Sequence, residues 1–311
     1  LTGGGGAGNE SLWRQWHGSH ELYFGDAAAD VFAPCIPPQR RVQIPFATDP
    51  TFVPSMQRIC SQLAIDVLIP GVDEELLPLA NQHGSPAWPR VLLPQASFVA
   101  TMLDKLTSMH AVRAAGLAAP HTIQLSDVEE LDRMAFPLIV KPRSGRGSRG
   151  VMPLERRDQV EAYLRLHGMK AERVVAQQLV AGQEYTVFVY ADNRGHLRAV
   201  VPVRVLHKRG ITIRARTEAQ PAIVSYVSKL HEALRPTGPY NMQCMLTAQG
   251  EVMPFEVNPR ISTTFCLALA AGADPLSLDA GPAAAAPWTP RHEWTLQRTW
   301  HNDIGASNAI V

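Results

Sequence analysis

Short apolar runs alternate with amphipathic stretches over the first part of the chain, which predicts strands and helices in turn. Leu1-Thr2 reads as the middle of a strand, so a few residues are expected ahead of it. The run Gly3-Gly4-Gly5-Gly6-Ala7-Gly8 then turns into a helix carrying Leu12, Trp13 and Trp16. Residues 21–26 form a predicted strand ending in Asp26, 56–64 a helix, 66–70 a strand and 74–83 a helix. This order is βαβ and implies parallel pairing. Pro34, Pro37, Pro38, Pro45 and Pro50 mark the loop between the second strand and the next helix. Residues 84–89 read as a linker.

Beyond the linker the period changes. Residues 97–115 place Met102, Leu103, Leu106, Met109 and Val112 at helical spacing, with Lys105 among them. Residues 136–173 read as strand, glycine-rich loop, strand and helix, and 174–180 as a strand leading into a hinge. Residues 242–246 are a strand, 247–250 a hairpin turn and 251–257 the returning strand, so Gln243 and Glu256 are expected to face each other. The basic segment 203–214 is strand-like. Its Lys208, Arg209 and Arg214 suit either a solvated edge strand or contact with an anion. After Asp274 the composition turns to Ala and Pro, and the tail has no assigned element.

Two of these segments carry chemistry. Glu256 and Asn258 are two apart on a strand and leave the same face, forming a hard-oxygen platform suited to Mg²⁺. Pro259 stops the ladder and Arg260 emerges beside that platform. Far upstream, Lys141 stands in the apolar run Ile139-Val140-Lys141-Pro142, where an ammonium needs a partner to offset desolvation. Directly after it, Arg143-Ser144-Gly145-Arg146-Gly147-Ser148-Arg149-Gly150 offers backbone N–H groups and cations to phosphates. Metal ligands, a lysine and a phosphate-covering loop together point to ATP chemistry.

Composition narrows the alternatives. A net charge of +1 on 311 residues gives no global case for nucleic-acid or membrane binding. Cys35, Cys60, Cys244 and Cys266 are scattered without a CxxC pair, which disfavours zinc or a disulfide framework and suits a reducing, cytoplasmic setting. Neither a signal peptide nor a membrane-length apolar run is visible, so Asn9-Glu10-Ser11 is read as a chance glycosylation match. There is no GxxxxGK[ST] motif and no Ser-His-Asp constellation. Gly3-x-Gly5-x-x-Gly8 with Asp26 admits a dinucleotide site, but also a plain strand-to-helix turn. Asp73 and Glu74 either face a cleft or simply favour a helix N-terminus.

Taken in order, these segments resemble the ATP-grasp superfamily, in the branch similar to the large chain of carbamoyl-phosphate synthase. The resemblance is carried by Leu103-Asp104-Lys105, the run 115–120, the run 136–142, the run 176–187, Tyr240-Asn241-Met242-Gln243 and the run from Glu256 to Arg260. It implies an α/β and α+β architecture, an ATP-grasp fold preceded by a Rossmann-like pre-ATP-grasp domain. The expected divisions are 1–95 for that first domain, 96–290 for the ATP-grasp domain with a lid at about 121–178, and 291–311 for the tail.

The family also implies roles. Lys105, Lys141, Ser144, Gly145, Gly147, Ser148 and Gly150 would meet the nucleotide phosphates. The hinge residues Gln177, Gln178, Leu179 and Val180 would meet adenine, although the related branch has a glutamate where this chain has Gln177. Glu184 would accept from the ribose hydroxyls. Gln243, Glu256 and Asn258 would hold Mg²⁺, as two ions, with Mn²⁺ as the alternative. Arg260 would hold the acceptor carboxylate or stabilise an acyl phosphate, and with Lys141 is the expected catalytic pair.

The implied function is an ADP-forming ligase that joins a small-molecule carboxylate to an amine or other nucleophile through an acyl phosphate. A kinase of the same fold and a non-catalytic nucleotide-binding module are the alternatives. For the tail, docking on the core, shaping the cleft and pairing in a homodimer are all open. With one such unit and no glutamine amidotransferase in view, carbamoyl-phosphate synthase itself is not expected.

Overall fold

The computed structural model describes residues 1–281 and 285–299. The expected parallel pairing is present at the start. Phe24–Asp26 pairs in parallel with Arg41–Gln43, and Val67–Leu68 with Arg90–Val91. Thr2 lies between these pairs: it bridges Gly25 in parallel, and its N–H donates to the Ile69 carbonyl at 3.0 Å. Helices Asn9–Trp16, Phe52–Gln62 and Asp73–Ala80 provide the connections.

Boundaries differ from expectation for local reasons. The strand expected over 21–26 begins only at Phe24, because Glu21 and Tyr23 turn outward to Arg40. The helix expected at 56–64 starts at Phe52, after the Asp49 side chain accepts from the Thr51 N–H at 2.8 Å. It stops before Ala64, which adopts a left-handed φ of 48°. The helix expected at 74–83 runs Asp73–Ala80, ending soon after Pro78.

The centre of the molecule is a six-stranded antiparallel sheet. Its order is Val252–Asn258, Gly238–Leu246, Gln183–Ala191, Leu197–Arg209, Ile211–Thr217 and Thr295–Gln297. Alternation along these strands gives each face its own core. Phe188, Val201 and Val203 pack with Leu12, Trp16 and Phe265 toward the N-terminal unit. Val187, Val189 and Val200 pack with Met109, Val227 and Leu230 from helices Lys105–Ala114 and Pro221–Leu234.

A smaller antiparallel sheet, ordered Thr122–Gln124, Val174–Gln178, Leu138–Pro142 and Met152–Leu154, has its own core around Leu131, Val140 and Tyr163. The described part of the tail docks on the large sheet, with Leu296 opposite Ala215. The remainder of the expected tail, 300–311, lies outside the described residues. The basic segment is a hairpin that overhangs the sheet: Leu197–Arg204 pairs with Gln183–Ala191, but His207, Lys208 and Arg209 pair only with the returning strand and are exposed. No described helix is long and apolar enough to cross a membrane.

Candidate active site

The hairpin register brings polar side chains onto one face of three adjacent strands. Gln243 lies opposite both Glu256 and Thr186, and Asn241 lies opposite Asn258. The Gln243 amide donates to Glu256 at 3.2 Å, and Thr186 donates to Asn241 Oδ1 at 2.8 Å. Sequence reading had included Gln243, Glu256 and Asn258 but not Asn241 or Thr186. Asn241 was within reach of the same argument, since it stands two residues before Gln243 on the strand.

A bulge follows this row. After Gln243 pairs with Glu256, Cys244 pairs with Pro254, leaving Phe255 without a cross-strand partner. The Phe255 carbonyl instead accepts from Lys141 Nζ at 2.9 Å. Lys141 is 4% exposed, and its ammonium also donates to Gln177 Oε1 at 2.8 Å. Burial, opposed by nearby Glu256, pushes its pKa down to about 8. Lys105, also buried, donates to the Gly145 carbonyl at 2.9 Å and lies 3.4 Å from Glu256. Lys105 thus pairs with Glu256, while Lys141 from a separate element reaches the backbone carbonyl beside it.

The Gln177 side chain, whose contact with adenosine the departure from the related branch leaves open, turns into the small sheet. Its oxygen is taken by Lys141 and its nitrogen donates to Thr122 Oγ1 at 2.8 Å, so the amide positions the lysine. The Gln178 N–H donates to the His121 carbonyl at 2.9 Å. Strand pairing ends there, and Leu179 and Val180 are the first hinge residues past it, with Leu179 42% exposed. Glu184 accepts from Lys208 at 2.6 Å.

The glycine-rich loop divides in two. Gly147 and Ser148 line the cleft together with Arg146 and Arg149. Ser144, Gly145 and Gly150 do not: Gly145 offers its carbonyl to Lys105, and the Gly150 carbonyl accepts from Tyr163 at 2.7 Å. Arg143 pairs with Asp104 at 2.7 Å, fastening the root of the loop to the start of helix Lys105–Ala114.

Arg260 reaches across to the N-terminal unit. Its Nε donates to Asp73 Oδ1 at 2.6 Å, with both side chains largely buried. The neighbouring acid, Glu74, pairs with Arg146 of the loop. Both acids stand in the first turn of helix Asp73–Ala80 and each pairs with an arginine that lines the cleft. Arg209 and Arg214 are not among the residues lining it, whereas Lys208 is.

Gln243, Glu256, Asn258 and Arg260 line a cleft of about 650 Å³ between the sheet, the loop and the N-terminal glycine turn, with Lys105 and Lys141 behind Glu256. A smaller, mainly apolar cavity of about 210 Å³, between Leu22 and Val67, holds none of them. The glycine turn lines this cleft through Gly3, Gly5 and Gly6. A Cβ on Gly4 would run into Phe32 and one on Gly5 would fall 2.8 Å from Val31, so close packing requires glycine at both positions.

The donor set suits Mg²⁺ in one particular way. Among the described residues no three His, Cys, Asp or Glu side chains cluster as metal ligands. One carboxylate and two amides are hard oxygen donors of low total charge, the kind that relies on substrate phosphates and water to complete the shell.

Comparison with known proteins agrees with this arrangement. The chain shares 32% identity over 93 residues with D-alanine–D-alanine ligase of Bacillus anthracis, covering 28% of this chain and 31% of that protein. It shares 30% over 151 residues with the carbamoyl phosphate synthase large chain of Thermomicrobium roseum, covering 44% and 14%. The matched stretches thus span less than a third of these relatives' length. Among solved structures, biotin carboxylase from Campylobacter jejuni superposes with a TM-score of 0.67 at 14% identity, covering 91% of this chain and 70% of that one. L-amino acid ligase from Bacillus licheniformis superposes at 0.62 and 19% identity, covering 83% and 64%. At such identities the likeness is one of fold. The ATP-grasp domain family matches residues 102–264, more than half of the chain, and the chain belongs to that family.

Proposed function

We propose that this chain is an ADP-forming ligase that activates a small-molecule carboxylate with ATP and joins it to an amine or other nucleophile. One observation carries the reading. Glu256 and Arg260, at the end of one strand, line a cleft beneath a glycine-rich loop, and Lys105 and Lys141, from a helix and a second sheet, reach Glu256 and the neighbouring Phe255 carbonyl.

In this reading Lys141, preset by Gln177, and Lys105 hold the phosphate oxygens, while the loop at Arg146–Arg149 covers them. Leu179 and Val180 meet the adenine, and Glu184 the ribose. Gln243, Glu256 and Asn258 would hold Mg²⁺. When bound, that ion offsets triphosphate charge and polarises the γ-phosphoryl group. Arg260, fixed through Nε by Asp73, turns its remaining N–H groups to the acceptor carboxylate.

A carboxylate oxygen attacks the γ-phosphorus as the bond to ADP breaks, giving an acyl phosphate. The amine then forms its bond to the acyl carbon, phosphate leaves, and the amine releases a proton. Positioning and charge neutralisation suffice for these steps. The N-terminal parallel strands, read as the pre-ATP-grasp domain, supply the acceptor wall of the cleft.

The test is release of ADP and inorganic phosphate from Mg-ATP across pools of carboxylic acids and amines. Equal amounts of both, appearing only when acid and amine are present, are expected. ADP without free phosphate would replace the ligase with a kinase.

A further inference from the structure

The cleft carries a charge that phosphate chemistry does not use. Arg146, Lys208 and Arg260 are already paired, with Glu74, Glu184 and Asp73, and Glu256 faces Lys105. Asp26 lines the same cleft, and among the described residues no cation pairs with it.

Its carboxylate is nonetheless held in place. Oδ2 accepts from the Gly5 N–H at 3.0 Å and Oδ1 from the Ala28 N–H at 3.1 Å. Two backbone bonds orient the group without cancelling its charge, and each oxygen keeps capacity for another donor. The wall beside it is apolar. Val31, 40% exposed, and Val72 both line the cleft against the glycine turn. Their closeness explains that turn's composition: a Cβ on Gly5 would meet Val31 at 2.8 Å, and one on Gly3 would meet Val72 at 3.0 Å.

We propose that the acceptor is a free amino acid whose ammonium binds Asp26, whose side chain lies against Val31 and Val72, and whose carboxylate is presented to Arg260. This rests on the ligase reading and narrows it. An acid without the amine leaves Asp26 facing the ligand unpaired, and a site built around a missing partner rejects such analogues strongly. An amino acid satisfies the carboxylate and the guanidinium together.

The experiment compares matched acids in the ADP-release assay: alanine with propionate, valine with isovalerate, and longer pairs, each with Mg-ATP and saturating hydroxylamine as the common nucleophile. For the unmodified chain, kcat/KM should favour the amino acid by about tenfold or more. Asp26→Asn should remove most of that preference, mainly through KM for the acid, with KM for ATP unchanged. A thermal melt of the variant checks that the turn is intact. Equal rates with amino and desamino acids, or an unchanged ratio in the variant, would overturn the proposal and leave the ligase reading standing. ADP release with no acid of either kind would overturn both.

Discussion

Replacing Lys141 with methionine separates what its ammonium does for folding from what it does for nucleotide binding. Methionine keeps the length and apolar stem while removing the charge. Burial has lowered this lysine from its ordinary value of 10.5 to about 8, which corresponds to roughly 3 kcal/mol against the charged form in the folded chain. Losing the ammonium relieves that penalty but orphans Gln177 Oε1 and the Phe255 carbonyl, at about 1–3 kcal/mol each. The effects offset one another, so Lys141→Met should melt within a few degrees of the unmodified chain at neutral pH.

Binding has no such offset. A charge-assisted bond to phosphate is worth about 1.5–3 kcal/mol, so ATP affinity should fall tenfold to about a hundredfold by calorimetry. The pH dependence adds a second check. Between the folded value of about 8 and 10.5 the unfolded chain holds the extra proton, so the unmodified chain gains stability as pH rises through that window. Its ATP affinity should fall over the same rise, as the unliganded ammonium is lost. Unchanged ATP affinity in the variant, or the same pH dependence of melting in both chains, would refute the reasoning.

Other perturbations test other parts. Glu256→Ala should abolish Mg²⁺-dependent ADP release while the chain still folds; retained turnover would remove Glu256 from the metal platform. Glu75 is 5% exposed and burial raises its pKa to about 7, so its contribution is present below the ordinary value of 4.5 and lost as pH rises through 7. Glu75→Gln should therefore gain on the unmodified chain by up to roughly 3 kcal/mol across that rise in denaturant titrations, and a pH-independent difference would contradict this. Gly238 has φ of 67°, and a Cβ there would sit 2.4 Å from the Leu93 carbonyl oxygen. Gly238→Ala should cost at least about 1–3 kcal/mol from the backbone alone, visible as a lower melting temperature.

What could be read from the sequence was what local period determines. Glu256 and Asn258 share a strand face by period alone, but Gln243 meets Glu256 only through the connection 247–251 and the bulge at Phe255, which spacing did not announce. The loop after Lys141 was visible from its glycines, but not which of them face the cleft, because that depends on where Lys105 and Tyr163 claim carbonyls. The capture of Gln177 by Lys141 and Thr122 needs three strands in register. The Asp73–Arg260 pair joins residues 187 positions apart, and no periodicity announces it.

That last pair limits how freely the N-terminal unit can be exchanged. Shuffling residues 1–95 against another member of the family would separate Asp73 from an arginine that lies on a different segment and is itself mostly buried. A graft without an acid at that helix start would strand the guanidinium, at roughly 3–5 kcal/mol for a broken buried pair. N-terminal units of this protein are therefore interchangeable only with a carboxylate carried along at position 73, and recombination libraries that ignore it should yield chains of lower melting temperature.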